Sequence, residues 1–402
     1  MDNIKIISDY IKSGIKTTGN DRIGIELEHF VTVKGGYENV PYSGENGVGA
    51  LLEKISHRYE NKTYSEGYLV GLYNDEYSIT IEPAAQLEIS IAPVEKLETA
   101  EKIYADFRNI IDPVLEEMGL NLVTEGYRRE GKAAEQELIP KKRYEFMNRY
   151  FKKTGKYGKN MMRSTASTQV SIDYTSERDC VLKFRTANIL SPLLSLICDN
   201  SGYFEGVPYS GRMARTAVWS SVDNDRCGIV PYILDEDFGF DKYAKYIYER
   251  PAILVINDGI PEYTGNKKIS GIYKNKQLTE PETEHILSMF FPDVRLKKYI
   301  EIRPADSLPL DAALSYAALV KGVFKKAEDF DIKPITVHDI ENAKSALMKD
   351  GFFADVYGTK AYKLCEKMLD TAKNTLDAED AKYLPPIERV ISERKSFKEE
   401  RK

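Results

Sequence analysis

Four short runs of the chain place acids and amides on one side and aliphatic residues on the other. In IGIELEHF, residues 23–30, a two-residue period puts Glu26, Glu28 and Phe30 on one face and Ile25, Leu27 and His29 on the other. In QLEISIA, residues 86–92, Gln86, Glu88 and Ser90 oppose Leu87, Ile89 and Ile91, with Glu82 just upstream beside Pro83. Within 165–174, Ser167, Gln169, Ser171 and Asp173 oppose Val170, Ile172 and Tyr174. In KYIEIR, residues 298–303, Glu301 and Arg303 oppose Ile300 and Ile302. Surface strands ordinarily carry Thr, Lys and mixed charge, whereas these carry Glu repeatedly and almost no Lys. Glu26, Glu28, Glu82, Glu88 and Glu301 on one sheet face would repel each other and raise their own pKa values. A divalent cation resolves that conflict. Mg²⁺ takes hard oxygen ligands and keeps waters and substrate phosphates in its shell. Arg303 beside the acids is a fixed fork for phosphate oxygens. The alternative is a half-solvated sheet whose polar residues face water.

A second feature is basic. KKRYEFMNRYFKKTGKYGKNMMR, residues 141–163, carries Lys141, Lys142, Arg143, Arg149, Lys152, Lys153, Lys156, Lys159 and Arg163 against one acid, Glu145. Such a patch attracts a polyphosphate or a carboxylate substrate, or is a solvated loop. Other chemistries lack their residues. There is no GxxxxGK[ST], HExxH or GxSxG, and GENGVG at 44–49 reads as a loop. His29 falls opposite the glutamates and reads as a packed histidine. Cys180, Cys198, Cys227 and Cys365 show no metal spacing and read as reduced thiols.

The elements that must carry these residues alternate irregularly. Strands are expected at 22–33, 68–73, 77–82, 86–92, 121–127, 165–174 and 298–303, the second and third as a hairpin turning at Asn74-Asp75. Pro93 is expected to stop the run at 86–92. Helices are expected at 4–13, 50–60, 94–119, 178–200 and 310–328, with more beyond 333, and 203–230 reads as irregular. Without a regular βαβ rhythm, this order favours an α+β fold with a largely antiparallel sheet. The 402 residues carry 57 Lys+Arg and 63 Asp+Glu, a net charge of −6, which argues against nucleic acid as the main partner. No signal peptide and no membrane span are read, and the apolar run near 189–198 reads as a buried helix.

Five segments, in order, resemble the plant-type branch of the glutamate–cysteine ligase family, whose fold is similar to glutamine synthetase. IGIELEHF resembles its G-x-E-x-E strand. Residues 67–93 resemble the stretch ending E-P-G-G-Q-x-E-L-S, with Ala84-Ala85 in place of the double glycine. Residues 139–174 resemble P-K-x-R-Y, then M-M and T-x-x-x-Q-V-x-x-D. RMARTAVWSSVDNDRCG at 212–228 resembles R-x-x-I-W-x-x-x-D-x-x-R-x-G. YIEIRPADSLPL at 299–310 resembles the strand with E-x-R-x-x-D. The resemblance implies an ATP-dependent ligase joining the γ-carboxylate of L-glutamate to the amine of L-cysteine through a γ-glutamyl phosphate. It implies Mg²⁺ ligands at Glu26, Glu28, Glu82, Glu88, Gln169 and Glu301. It implies catalytic roles for Arg303 and Glu301, and nucleotide contacts at Lys142 and Arg303. It implies amino-acid contacts at Arg163, Arg215, Trp219 and Arg226. Residues 1–330 are expected to form the catalytic domain and 331–402 a C-terminal helical extension. The expected partners are the small substrates and ATP, with no nucleic acid or membrane, in a cytoplasmic monomer or small homo-oligomer. Three alternatives stand beside this: another amine acceptor, a nucleotide- and metal-binding protein without turnover, or a metal-dependent hydrolase that consumes no ATP.

Overall fold

The computed structural model describes every residue except 1, 19, 20, 258, 331, 333–335, 401 and 402. Its centre is one sheet of nine strands: β1 (Ile23–Val33), β2 (Asn61–Ser65), β3 (Tyr68–Tyr73), β4 (Tyr77–Ile81), β5 (Leu87–Val94), β6 (Leu120–Val123), β7 (Thr168–Ile172), β8 (Val294–Leu296) and β9 (Ile300–Ile302). The order is β8-β9-β7-β1-β5-β4-β3-β2, with β6 on the far end of β1, and each neighbouring pair is antiparallel. The α+β expectation with a mainly antiparallel sheet therefore holds.

The alternation in sequence becomes a two-faced sheet. Ile25, Leu27, Leu87, Ile89, Val170 and Ile302 are buried in one apolar core. Helices Leu97–Met118, Glu177–Ile197 and Leu310–Phe324 cover that side. Helix Glu177–Ile197 is long and apolar enough to cross a membrane, yet 78% of its most apolar window is buried, as a core helix requires. His29 is fully buried on this side, its ring nitrogens 2.9 Å from the Tyr104 hydroxyl and 3.3 Å from the Leu87 carbonyl, as the packed reading requires. The acid-bearing side faces helices Lys142–Phe151, Gly158–Ser164 and Ala214–Trp219 instead. The helices Val337–Asp350, Ala361–Thr375 and Pro385–Glu393 join the same hydrophobic core as the sheet.

Three local expectations change. β5 runs through Pro93 to Val94, because its last β4 partner is Ile91 and the β1 register shifts there, so no ladder bond needs the missing N–H. The helix expected at 50–60 starts earlier, at Val48, and ends at Ile55 in a 3₁₀ turn, Ser56–Arg58. The segment 203–230, read as irregular, contains the helix Ala214–Trp219.

Candidate active site

Strand register sets the acids side by side. Glu28 of β1 lies opposite Glu88 of β5, and Glu26 lies opposite Gln169 of β7. In antiparallel pairs, opposed Cβ atoms are only about 4.5–5.5 Å apart. Glu82 enters from the turn joining β4 to β5, closed by a bond from the Ala85 N–H to the Glu82 carbonyl at 3.0 Å. Ala85 holds φ at +65°, the left-handed region glycine enters freely, which accounts for the glycine of the pattern it resembles. Glu26, Glu28, Glu82, Glu88 and Gln169 line one cavity of about 260 Å³. Its other wall is basic: Arg143, Arg215, Arg295, Lys297 and Arg303.

Burial and crowding act on these acids as expected. Burial first, then Glu88 and Glu301, push Glu26 well above the usual carboxylate range. Burial and Glu28 raise Glu82, against the pull of Lys141, Arg143 and Arg303. Burial, Glu82 and Glu28 raise Glu88 to about 7, although the hydroxyls of Thr80 and Ser90 donate to it at 2.8 and 2.9 Å. Glu28 is tied down instead. Its carboxylate accepts from the Ser167 N–H at 2.8 Å, the Ser167 hydroxyl at 2.7 Å and the Gln169 amide at 3.1 Å.

Glu301 departs from the ligand role. It is fully buried and does not line the cavity. Arg295 pairs with it at 2.7 Å, Arg303 at 2.8 Å and Lys297 at 3.6 Å. Burial alone would raise its pKa, but those three cations hold it well below the usual range. With both oxygens engaged, Glu301 is an anchor for cations rather than a donor aimed at the cavity. Arg303 also donates to the Gln169 side-chain oxygen, which links the basic wall to the acids.

The remaining expected residues divide. Arg215 and Trp219 line the cavity from their short helix, and Arg215 Nε and Trp219 Nε1 are buried without a hydrogen-bond partner. Orphaned buried donors are rare and call for a ligand or water. Arg163, Arg226 and Lys142 are absent from the lining. Arg163 donates to the Gln136 carbonyl at 2.8 Å and to Asn148 at 3.0 Å. Arg226 is fully buried against Asp223 at 2.6 Å and the Met289 and Pro251 carbonyls, so it braces the wall from behind. Lys142 is exposed and pairs with Glu145 at 2.7 Å. Its neighbours Arg143 and Tyr144 face the cavity instead, since successive helical residues point about 100° apart.

Arg295 and Lys297 were missed in the sequence. Their signal was the alternation VRLK at 294–297, which places both opposite Val294 and Leu296.

The donor set suits one kind of metal. Among the described residues, no three His, Cys, Asp or Glu side chains form a preformed metal cage. The acids instead ring a cavity, offering hard oxygens from several sides. That fits Mg²⁺, which keeps much of its shell for waters and substrate phosphates, better than a closed structural site.

An antiparallel sheet with an acid floor beneath a basic wall brings hard-oxygen donors and cations to one cavity. The model of glutamate-cysteine ligase family 2 matches residues 22–393, and the chain belongs to that family. Glutamate–cysteine ligase B, chloroplastic, of Oryza sativa subsp. japonica is 29% identical, covering 95% of this chain and 80% of its own. The chloroplastic glutamate–cysteine ligase of Solanum lycopersicum is 33% identical, covering 75% of this chain and 58% of its own. The glutamate–cysteine ligase of Francisella tularensis, solved in complex with AMP, shares the fold with a TM-score of 0.55 at 13% identity, covering 92% of this chain and 82% of that one. The expectation of a cytoplasmic location is overturned, because the plant relatives are named as chloroplastic.

Proposed function

We propose that this chain is an ATP- and Mg²⁺-dependent ligase that joins L-glutamate through its γ-carboxylate to the amine of L-cysteine. One observation carries the reading: register pairs Glu28 with Glu88 and Glu26 with Gln169 on the floor of a cavity walled by Arg295, Lys297 and Arg303. Glu26, Glu28, Glu82, Glu88 and Gln169 would hold Mg²⁺. When bound, the ion neutralises phosphate charge and aligns the γ-phosphoryl group.

The chain's own residues do the rest. Arg303, fixed by Glu301 and Gln169, meets charge spreading over the transferring phosphoryl oxygens. Arg295 and Lys297 extend that positive wall. The unpartnered Arg215 Nε and Trp219 Nε1 grip a substrate carboxylate. A γ-carboxylate oxygen of glutamate attacks the γ-phosphorus and ADP leaves. The cysteine amine then attacks the acyl phosphate, the carbon–oxygen bond to phosphate breaks, and inorganic phosphate leaves while the amine gives up a proton to solvent. Holding reactants in line contributes about 7–11 kcal/mol in favourable cases. Mass spectrometry after incubation with ATP, Mg²⁺, glutamate and cysteine tests the reading. γ-Glutamylcysteine with matching ADP is expected, and ADP formed independently of glutamate would overturn it.

A further inference from the structure

The helix that brings Arg215 and Trp219 to the cavity is short, and on its core side Arg215 donates to the Arg303 and Pro304 carbonyls at 3.1 and 3.2 Å. It spans only Ala214–Trp219 and starts from Met213 at φ +55°, a strained entry for a residue with a Cβ. Its N-terminal entry is set by the preceding loop, 199–213. One end of that loop is knotted into the core. Asp306 accepts from the Asn200 N–H at 2.8 Å and from the Ser201 hydroxyl at 2.6 Å. Asp199 accepts from the Met213 N–H at 3.0 Å, which closes the loop at its neck.

The outer span of the loop is held by the C-terminal segment, nearly two hundred residues away in sequence. Lys398 is 5% exposed. Its ammonium donates to the Tyr209 carbonyl at 2.7 Å and to the Gly211 carbonyl, and it lies 4.8 Å from the centre of the Tyr209 ring. Its backbone N–H donates to the Asp199 carbonyl at 3.0 Å. Glu399 reaches Arg212 at 3.7 Å. Burying a lysine is unfavourable unless it is partnered, and here two backbone carbonyls of the loop accept from it while Asp199 and Asp306 lie near its charge. Ser396, fully buried, and Phe397, 6% exposed, fix the segment that presents it.

We propose that Lys398 is a positioning residue of the amino-acid pocket, holding the 199–213 loop so that Arg215 and Trp219 stand in the cavity. The proposal rests on the reading above, in which that pair meets an amino-acid substrate.

The test compares the full-length chain with Lys398→Met, Lys398→Arg and, as a control, the exposed Lys395→Met. Trp219 is the only tryptophan in the chain, so its fluorescence reports on the helix directly and without turnover. Under conditions where circular dichroism shows every variant folded, Lys398→Met is expected to shift Trp219 emission and raise its quenching by acrylamide. Lys398→Arg and Lys395→Met should leave both near wild type. In steady-state kinetics, Lys398→Met should raise the KM of glutamate or cysteine about tenfold while the KM of ATP stays within about twofold, because the side chains of Arg295, Lys297 and Arg303 are fixed by Glu301 and Gln169 rather than by the 199–213 loop. Lys398→Arg should recover most of that loss. Unmoved Trp219 fluorescence, or a parallel rise in the KM of all three substrates, would overturn the proposal. If wild-type protein makes no γ-glutamylcysteine, the functional reading fails while the fluorescence still judges the latch.

Discussion

Glu301→Gln removes a charge shared by three cations. Glu301 is fully buried, and Arg295, Arg303 and Lys297 reach it at 2.7, 2.8 and 3.6 Å. Glutamine keeps the shape and one acceptor but loses the anion. The cations are then left facing one another, and stripping one partner from a buried ion pair costs about 3–5 kcal/mol. At roughly 2 °C per kcal/mol for a large domain, the midpoint of thermal unfolding should fall by about 6–10 °C. Arg303 also loses the support that aims it at the cavity, and removing one preorganised donor costs about 10²–10³ in kcat. The assay is ADP release coupled to glutamate, run well below the variant's unfolding midpoint. A Mg²⁺ titration then separates two roles. As an anchor acting through Arg303 and Gln169, Glu301 moves the Mg²⁺ activation midpoint less than Glu28→Gln does; as a ligand, its loss would move that midpoint as far as Glu28→Gln. The reasoning is refuted by near-normal kcat in folded variant, or by a Mg²⁺ shift as large as that of Glu28→Gln.

Further outcomes follow from the same geometry. Glu28→Gln and Glu88→Gln should raise the Mg²⁺ needed for half-maximal ADP release by at least about tenfold, with the circular dichroism spectrum unchanged. Lys142→Ala should leave the KM of ATP unchanged within about twofold, since Lys142 is exposed and paired with Glu145, whereas Arg143→Ala should raise it. His29, held neutral by burial with its pKa lowered to about 4, binds fewer protons folded than unfolded between about pH 4 and 6.5. Its contribution is thus complete above pH 6.5 and lost as pH falls toward 4. Wild type should lose up to roughly 3 kcal/mol more than His29→Asn across that window in urea melts.

The acid floor was legible because period-2 faces are set by backbone geometry alone. Once 23–30, 86–92 and 165–174 are strands, Glu26, Glu28, Glu88 and Gln169 must share a side, and antiparallel pairing brings them together. The basic wall was harder to see. β8 is three residues long, too short for its alternation to stand out, so Arg295 and Lys297 went unnoticed. Arg163 and Lys142 come from helices and Arg226 from a turn, where direction depends on tertiary packing. That packing sends Arg226 into a buried pair with Asp223 and leaves Lys142 in solvent. Glu301 was placed on the correct face. What turned it into an anchor was the hairpin pairing Arg295↔Glu301 between β8 and β9, six residues apart, whose register depends on a turn that the alternation of either strand does not fix.

The most direct measurement is a crystal structure with Mn²⁺ and a non-hydrolysable ATP analogue, with anomalous scattering used to place the ions. The account predicts anomalous peaks between the phosphates and the oxygens of Glu26, Glu28, Glu82, Glu88 and Gln169, with Arg303 on the terminal phosphate. Peaks elsewhere, with those side chains facing no ion and the nucleotide bound outside the cavity, would contradict it.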